Sequence, residues 1–453
     1  MFSRKMSLLL DNPTQLNYGI AVTDVDGDGE FELFVAGFGF RNLLLKWTGT
    51  GYQDIAPLAL ADPGRAAIGV AACDIDGDGR EEIYVLNTDT FAGAKELSDR
   101  LFDFRAGHWV DLFGLPENEN MINLIAGRSV AAVDRDGDGR YGFFIANYGG
   151  PMLLFELNDR GELIEVGARA GLNHITGGRG LVSLPLISPH MDIFAANEGG
   201  PNFLFRNRGD GTYEEVAQQW NILDAYEHGR GIAVLDANGD GRFDLVYGNW
   251  EGRHRLFIQT GGKFHDIAPP ALAAPSKVRT VIAADFDNDG REEIFFNNIG
   301  EPNRLFGLRL DAWVTLDIGE AAEPGGLGTG AAVGDFDGDG RLELIIAHGE
   351  SGLQPLSLYH SPQNSNSWLR VLPLTRYGAP ARGAVVRLVQ PDRTQLRAID
   401  AGSGYLCQME PVAHFGLGSN STVEQVEVRW PDGATVILTA PEANQLIKVD
   451  YPA

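Results

Sequence analysis

Short apolar runs bounded by Gly, Asn, Asp or Pro recur in a fixed order through the first 360 residues. One run leads into a nine-residue acidic stretch (GIAVT at 19–23, GIAVL at 231–235), and a second leaves it (LFVA at 33–36, IYVL at 83–86, LIIA at 344–347). A third follows a Gly/Asn turn (NFLFRN at 202–207), and a fourth alternates polar with apolar (TYEEV at 212–216, KFHDI at 263–267). Four short strands per period of about 50 residues predict propeller blades, whose radial repetition leaves only short, protected sheet edges.

The acidic stretches begin at Asp24, Asp74, Asp134, Asp236, Asp285 and Asp335, at gaps of 50, 60, 102, 49 and 50 residues. The gap of 102 is twice the period, and a silent repeat fills it: LPLISPHMD at 184–192 leads into IFAAN, matching FFIAN at 143–147. Only Asp192 keeps a ligand position there, so seven repeats are expected, six with an acidic loop. The fold class expected is therefore all-β, a seven-bladed β-propeller over residues 1–362 followed by a small β-sandwich over 363–453. The N-terminal FSRKM at 2–6 is predicted to pair into the last blade and close the ring.

After the polar linker SPQNSNS at 361–367 come seven strand-like runs, at 368–374, 384–390, 395–400, 411–415, 425–430, 435–439 and 445–449. Short alternating strands over about 90 residues suggest two packed sheets of immunoglobulin or transthyretin type. Tyr405, His414 and Trp430 of this tail are read as structural, with packing against the propeller as its role. No apolar run reaches membrane-spanning length, and residues 1–10 show no secretory leader. Cys73 and Cys407 offer no disulfide framework, and Cys73 is expected to be a buried small hydrophobe.

The loops have the chemistry of a hard-cation site. Carboxylates at positions 1, 3, 5 and 9, a carbonyl at 7 and glycine at 6 supply the six to eight oxygens that Ca²⁺ takes. The expected ligands are Asp24, Asp26, Asp28, Glu30 and Glu32; Asp74, Asp76, Asp78, Arg80 and Glu82; Asp134, Asp136, Asp138 and Arg140; Asp236, Asn238, Asp240, Arg242 and Asp244; Asp285, Asp287, Asp289, Arg291 and Glu293; and Asp335, Asp337, Asp339, Arg341 and Glu343. The position-7 residues among them (Glu30 and the five arginines) would serve through their carbonyls. Gly142 leaves the third loop without a position-9 acid, so that loop is expected to bind most weakly. An EF-hand would need Glu at position 12 and flanking helices; position 12 here is Val35, Val85, Ile145, Tyr247, Phe296 or Ile346, between strand-like flanks. Mg²⁺ demands stricter octahedral geometry, which favours about six Ca²⁺ sites.

The net charge of −26 belongs to these loops: removing their 22 carboxylates at positions 1, 3, 5 and 9 leaves −4. No basic stripe is present and the pI is about 4.6, which excludes a nucleic-acid partner. Arg128, Arg179, Arg230 and Arg279 each stand just before an inner-strand run, which would bring them to one mouth of the central channel. They are read as an anion-binding or catalytic cluster, or as ion pairs with acids of neighbouring blades. Asn87, Asn147, Asn197, Asn249 and Asn298 share position 14 and are expected to be structural, through turn capping or the left-handed conformation. Hydrolase, zinc-protease, P-loop and dinucleotide motifs are absent.

The Asp-x-Asp-Gly-Asp-Gly loops resemble the FG-GAP (VCBS-type) repeats of integrin alpha-subunit propellers. GSGYLCQ at 402–408, HFGLG at 414–418 and VRWPDG at 428–433 resemble the ASPIC/UnbV signature, and the combination is similar to the cartilage acidic protein family. That resemblance implies a Ca²⁺-loaded propeller joined to a small β-sandwich, usually secreted. The function expected is a Ca²⁺-stabilised binding or scaffold module, a monomer engaging a protein or glycan in an extracellular or periplasmic setting. The rival is an enzyme at a propeller mouth using the arginines with Tyr18 or His228; a purely structural module is a third reading.

Overall fold

The structure, a computed structural model, describes residues 2–453. Among them, the strands up to His360 form seven four-stranded antiparallel blades. The first blade runs outward through Asn17–Thr23, Glu32–Gly37, Leu43–Trp47 and Tyr52–Asp54. The last holds Gly328–Gly334, Glu343–His348 and Ser357–His360, and its outer strand is the N-terminal Ser3–Arg4, with Ser3 opposite His360. Phe2 sits in the core beside Phe286, ring centroids 5.0 Å apart.

Inner strands such as Ala67–Cys73 (AIGVAAC) and Gly328–Gly334 (GTGAAVG) are buried throughout. Their small residues answer crowding at the axis: a Cβ on Gly231 would collide with the Val281 amide nitrogen. Larger side chains fill the spaces between blades, where Phe34 and Leu44 of the first meet Val70, Ile83 and Phe102 of the second. Each such fully buried side chain stabilises by roughly 1.5–3 kcal/mol.

Blades three and four depart from the simple repeat. The strands Gly142–Pro151 and Ile175–Leu184 are each ten residues long and pair through Tyr148–Gly177, Gly150–Thr176 and Pro151–Ile175, joining the two blades into one eight-stranded sheet. The silent loop, which joins Ile175–Leu184 to Asp192–Asn197 within blade four, is held internally. The Asp192 carboxylate accepts hydrogen bonds from the Ile187, Ser188 and Asn207 amides and the Ser188 hydroxyl, at 2.7–2.8 Å.

The C-terminal strands form two sheets. Ser367–Pro373 lies between Ala413–Gly418 (antiparallel) and Leu446–Val449 (parallel); the other sheet is ordered Thr394–Ala398, Val385–Val389, Gln425–Arg429, Thr435–Thr439. Leu369, Val386, Phe415, Val426 and Trp430 share one core, and all seven runs anticipated from the sequence carry a strand. His414 and Trp430 are structural: His414 Nε2 lies 2.6 Å from Asn288 Oδ1, and Trp430 Nε1 donates to the Leu374 carbonyl at 2.8 Å.

Tyr405 behaves differently. The segment 401–409 leaves the sandwich and enters the central channel, where it pairs with inner strands by backbone. Gly404 exchanges two hydrogen bonds with Ile232, at 2.7 and 2.8 Å. Leu406 O accepts from Val70 N, Ala401 O from Ala132 N, and Gln408 O from Val22 N. The Gln408 side chain closes a second pair, accepting from Ala72 N at 2.8 Å and donating to Ala72 O at 2.9 Å. The sequence reading of a tail that packs against the propeller did not anticipate this plug.

Candidate metal centres and the channel mouth

Each acidic loop wraps around its own first carboxylate. Asp74 Oδ1 accepts from Gly77 N at 2.6 Å and Oδ2 from Gly79 N at 3.0 Å, and Asp24 and Asp134 repeat the arrangement. The position-5 carboxylate accepts from the position-7 amide, as in Asp339 to Arg341 at 2.9 Å. Position-6 glycines take positive φ, +83° at Gly340, where a Cβ would also run into the Trp368 indole. Where position 4 is Asn288, φ is +54°.

Position 9 gives one oxygen to the loop and turns the other toward the remaining acids. Glu343 Oε2 accepts from Phe336 N at 2.8 Å, while Glu343 Oε1 and Asp335 Oδ1 are buried without a hydrogen-bond donor. Ligand atoms of Asp24, Asp26 and Glu32 lie within 4.8 Å of one another, as do those of Asp74, Asp76 and Asp78, of Asp134, Asp136 and Asp138, and of Asp337, Glu343 and His360. Burial, reinforced by these like charges, pushes Asp74, Asp134, Asp244 and Asp285 up to about 7 and Glu293 up to about 9. Buried acidic oxygens without donors and carboxyls held above their ordinary range fit a bound cation, which would restore the ionised form.

The third strand of each blade adds groups the loop pattern did not reveal. Asp103 joins Asp76 and Glu82, and His360 joins the sixth loop. Glu156 Cγ lies 2.8 Å from where a Cβ of Gly142 would sit, so a neighbouring-strand glutamate fills the space of the missing position-9 acid. Its carboxylate is paired to Arg135, at 2.7 and 2.9 Å. In the first loop the Lys46 ammonium stands among the carboxylates, 2.6 Å from Asp26, 2.6 Å from Asp28 and 2.9 Å from Glu32. Arg309 does the same in the fifth, 3.0 Å from Asp287 and 2.9 Å from Glu293. In these two loops a bound metal would have to displace a built-in side-chain cation. Lys46→Ala is therefore expected to raise the first loop's calcium affinity, by about tenfold or more for one removed competing charge, read as one tighter site in a calcium titration.

The sandwich covers the loop face. Gly416 N donates to Asp285 Oδ2 at 3.0 Å, Arg370 pairs with Asp335 at 3.0 Å, and Asn364 and Asn366 donate to the Asp287 carbonyl at 2.6 and 2.8 Å. The position-14 asparagines do not take the left-handed conformation. Asn147, Asn197, Asn249 and Asn298 instead donate to the carbonyl four residues on, at 2.5–2.8 Å, locking the turn after the second strand.

At the opposite end, a cavity of about 530 Å³ collects Arg128, Arg179, Arg230 and Arg279 with Tyr18, Trp250 and Tyr405. Arg128, Arg230 and Arg279 are the second residues of their inner strands and Arg179 stands at the matching register of Ile175–Leu184; the other ends of these strands feed the loops, so the two faces lie roughly 20 Å apart at about 3.3 Å per residue. Ion pairing with acids accounts for three of the arginines: Glu198 pairs with Arg179 and Arg230, and Glu350 with Arg279. His228 stands at the edge, its Nδ1 4.0 Å from Glu198 and half exposed.

The family model described as ASPIC and UnbV matches residues 375–453, and the one described as FG-GAP-like repeat matches 24–85, 189–247 and 236–296. The chain is 51% identical to cartilage acidic protein 1 of Xenopus tropicalis, over 97% of this chain and 74% of that one. It is 50% identical to the Homo sapiens protein of the same name, over 97% and 73%. The chain belongs to the cartilage acidic protein family. In this member of the cartilage acidic protein family the middle repeat match starts inside the silent fourth repeat and runs into the fourth acidic loop. Among solved structures, the BP39L lectin from Burkholderia pseudomallei superposes with a TM-score of 0.49 at 14% identity, over 78% of this chain and 99% of that one. The BBS1N protein in complex with ARL6DN gives 0.48 at 15%, over 78% and 94%.

Proposed function

We propose that this chain is a calcium-loaded binding scaffold: a propeller over residues 1–362, held by about six Ca²⁺ ions, that presents its surface to a protein or glycan partner, with residues 363–453 clamping the ion-bearing face. The observation that carries the calcium reading is the sixth loop, where Glu343 Oε1 and Asp335 Oδ1 are buried among acids with no donor. The donor sets are carboxylates in the main, joined in the sixth loop by His360, and carboxylate-rich sets of this size suit Ca²⁺ over Mg²⁺. Loops of this kind work in calcium-rich surroundings, which favours an extracellular or periplasmic setting. No helix among the described residues is long and apolar enough to cross a membrane.

The test is metal counting by mass spectrometry after exchange into calcium buffer, beside the Glu343→Gln variant. About six ions are expected, one fewer in the variant, with the first and fifth loops, which hold Lys46 and Arg309, and the third, which lacks a position-9 acid, releasing theirs first. Fewer than two ions at saturating calcium would overturn the reading. The enzyme alternative draws on the convergence of Arg128, Arg179 and Arg230 on one cavity with Tyr18. It would be favoured by turnover of a substrate that is lost in Arg230→Gln without loss of fold.

A further inference from the structure

The channel mouth is positively charged in a protein whose formal net charge is −26. Of the four guanidinium groups there, Arg128 has no carboxylate partner. Among the described residues its side chain donates only to the Thr90 and Phe91 carbonyls, its guanidinium carbon lies 5.4 Å from the Phe91 ring, its Nε has no acceptor, and the residue is 7% exposed. The Nε atoms of Arg230 and Arg279 are also buried without an acceptor. Of the acids lining the cavity, Glu198 and Glu350 are taken by the other three arginines, and Asp89 is held by the Glu96 and Leu97 amides at 3.0–3.2 Å. A buried, unpaired charge is strongly unfavourable.

The rest of the site has the form of a ligand pocket. Its floor is Tyr405 at the tip of the plug, whose hydroxyl lies 3.3 Å from Arg179 NH1. Trp250 stacks under Arg279 and Arg230, guanidinium carbons 4.4 and 5.5 Å from the ring, and Tyr148 under Arg179 at 4.5 Å. This stacking holds the planar donors in fixed orientation. A volume of about 530 Å³ falls within the ~300–1,000 Å³ of small-molecule sites.

We propose that the channel mouth binds a small organic anion whose carboxylate, sulfate or phosphate group lies among Arg128, Arg179 and the Tyr405 hydroxyl. The shared chemistry is an oxyanion that accepts from guanidinium donors in pairs. The Tyr405 phenol reports on the same field. Burial raises it, but Arg179, Arg279, Arg230 and Arg128 together bring it down to about 8, while Glu198, Glu350 and the Tyr18 phenol face the same cavity. A phenol depressed from its ordinary 10 gives stability that is full above pH 10 and is lost as pH falls through 8. An oxyanion seated on the arginines screens them and moves the phenol back toward 10.

The experiment uses the full chain in calcium buffer, with sodium sulfate, sodium glucuronate and glucose 6-phosphate as probes and sodium chloride of matched ionic strength as control. Calorimetric titration is expected to give saturable, submillimolar binding of at least one probe, and the preferred arm identifies the oxyanion. Arg128→Gln should weaken it by about ten- to a hundredfold, the range for a lost hydrogen bond to a charged group. Arg279→Gln, at a more exposed position, gives the same reading should Arg128→Gln misfold. The phenolate absorbance lost in Tyr405→Phe should titrate near pH 8 in chloride and higher with the bound probe. The proposal is overturned if all three probes behave like chloride, if folded Arg128→Gln and Arg279→Gln bind as wild type does, or if the Tyr405 titration is unchanged by a saturating probe.

Discussion

Arg382→Ala is expected to cost ~3–5 kcal/mol of folding stability, the range for removing one partner of a buried ion pair. Arg382 belongs to the sandwich, yet its side chain has no exposed surface and reaches into the propeller. All five of its N–H donors are used. Two go to Glu81, at 2.7 and 3.0 Å, and three to the carbonyls of Asp400, Met409 and Val22, at 2.9–3.1 Å. Glu81 is position 8 of the second loop, Val22 lies on the innermost strand of the first blade, and Asp400 and Met409 flank the plug, so one guanidinium joins two blades, the plug and the sandwich. Alanine leaves the Glu81 carboxylate buried with only the Thr23 hydroxyl, at 2.7 Å. Arg382→Lys should recover only part of the loss, because an ammonium has three donors and no planar fork. A double variant that also removes the charge at Glu81 should be more stable than Arg382→Ala alone. Denaturant unfolding measures all three. A loss under about 1 kcal/mol for alanine, below the range expected for a buried pair, would mean that the sandwich is not clamped through this residue.

What could be read from the sequence was whatever repeats. Each loop must put acids and glycines at fixed spacing, so the period and the silent fourth repeat were visible in residue letters alone. The arginine quartet was visible for the same reason, since Arg128, Arg179, Arg230 and Arg279 occupy one register position of successive inner strands. The third-strand contributions were missed although their signal was available. Lys46, Asp103, Glu156 and His360 each follow the residue paired with the position after loop position 9: Leu45 with Leu33, Phe102 with Ile83, Phe155 with Phe143, Tyr359 with Leu344. Aligning the third runs would have placed one polar residue beside every one of these loops. The plug left no comparable trace. Its bonds to Ile20, Val22, Val70, Ala132 and Ile232 are mostly backbone to backbone, and such pairing does not depend on side-chain identity. Gly402 and Gly404, at φ +139° and +69°, mark its bends, but two glycines in a loop do not say which surface the loop enters.

Removing calcium should have an even larger effect than losing the clamp. A site occupied at 100 times its Kd stabilises the folded chain by ~2.7 kcal/mol, so four such sites already approach the ~5–15 kcal/mol that holds a typical domain together. The effect is concentrated where the two halves of the chain meet, because Asp285 and Asp335 are in direct contact with Gly416 and Arg370 of the sandwich. Without ions, the loops hold acids that burial and mutual repulsion keep above their ordinary range, and side-chain cations such as Lys46, Arg309 and Arg370 each meet only some of them. Calorimetric melting with excess EGTA should therefore show the main transition lowered by tens of degrees or lost. Calcium should restore it at concentrations where magnesium does not, since magnesium keeps its own waters and demands stricter octahedral geometry. Among the described residues Asp337 has no ion pair of its own, so Asp337→Asn should lower the calcium-loaded melting temperature more than Asp26→Asn, whose carboxylate is already met by Lys46. A transition that stays in place under chelation would mean that the acids are neutralised by protons and side chains alone, and that the folded propeller does not need the ions.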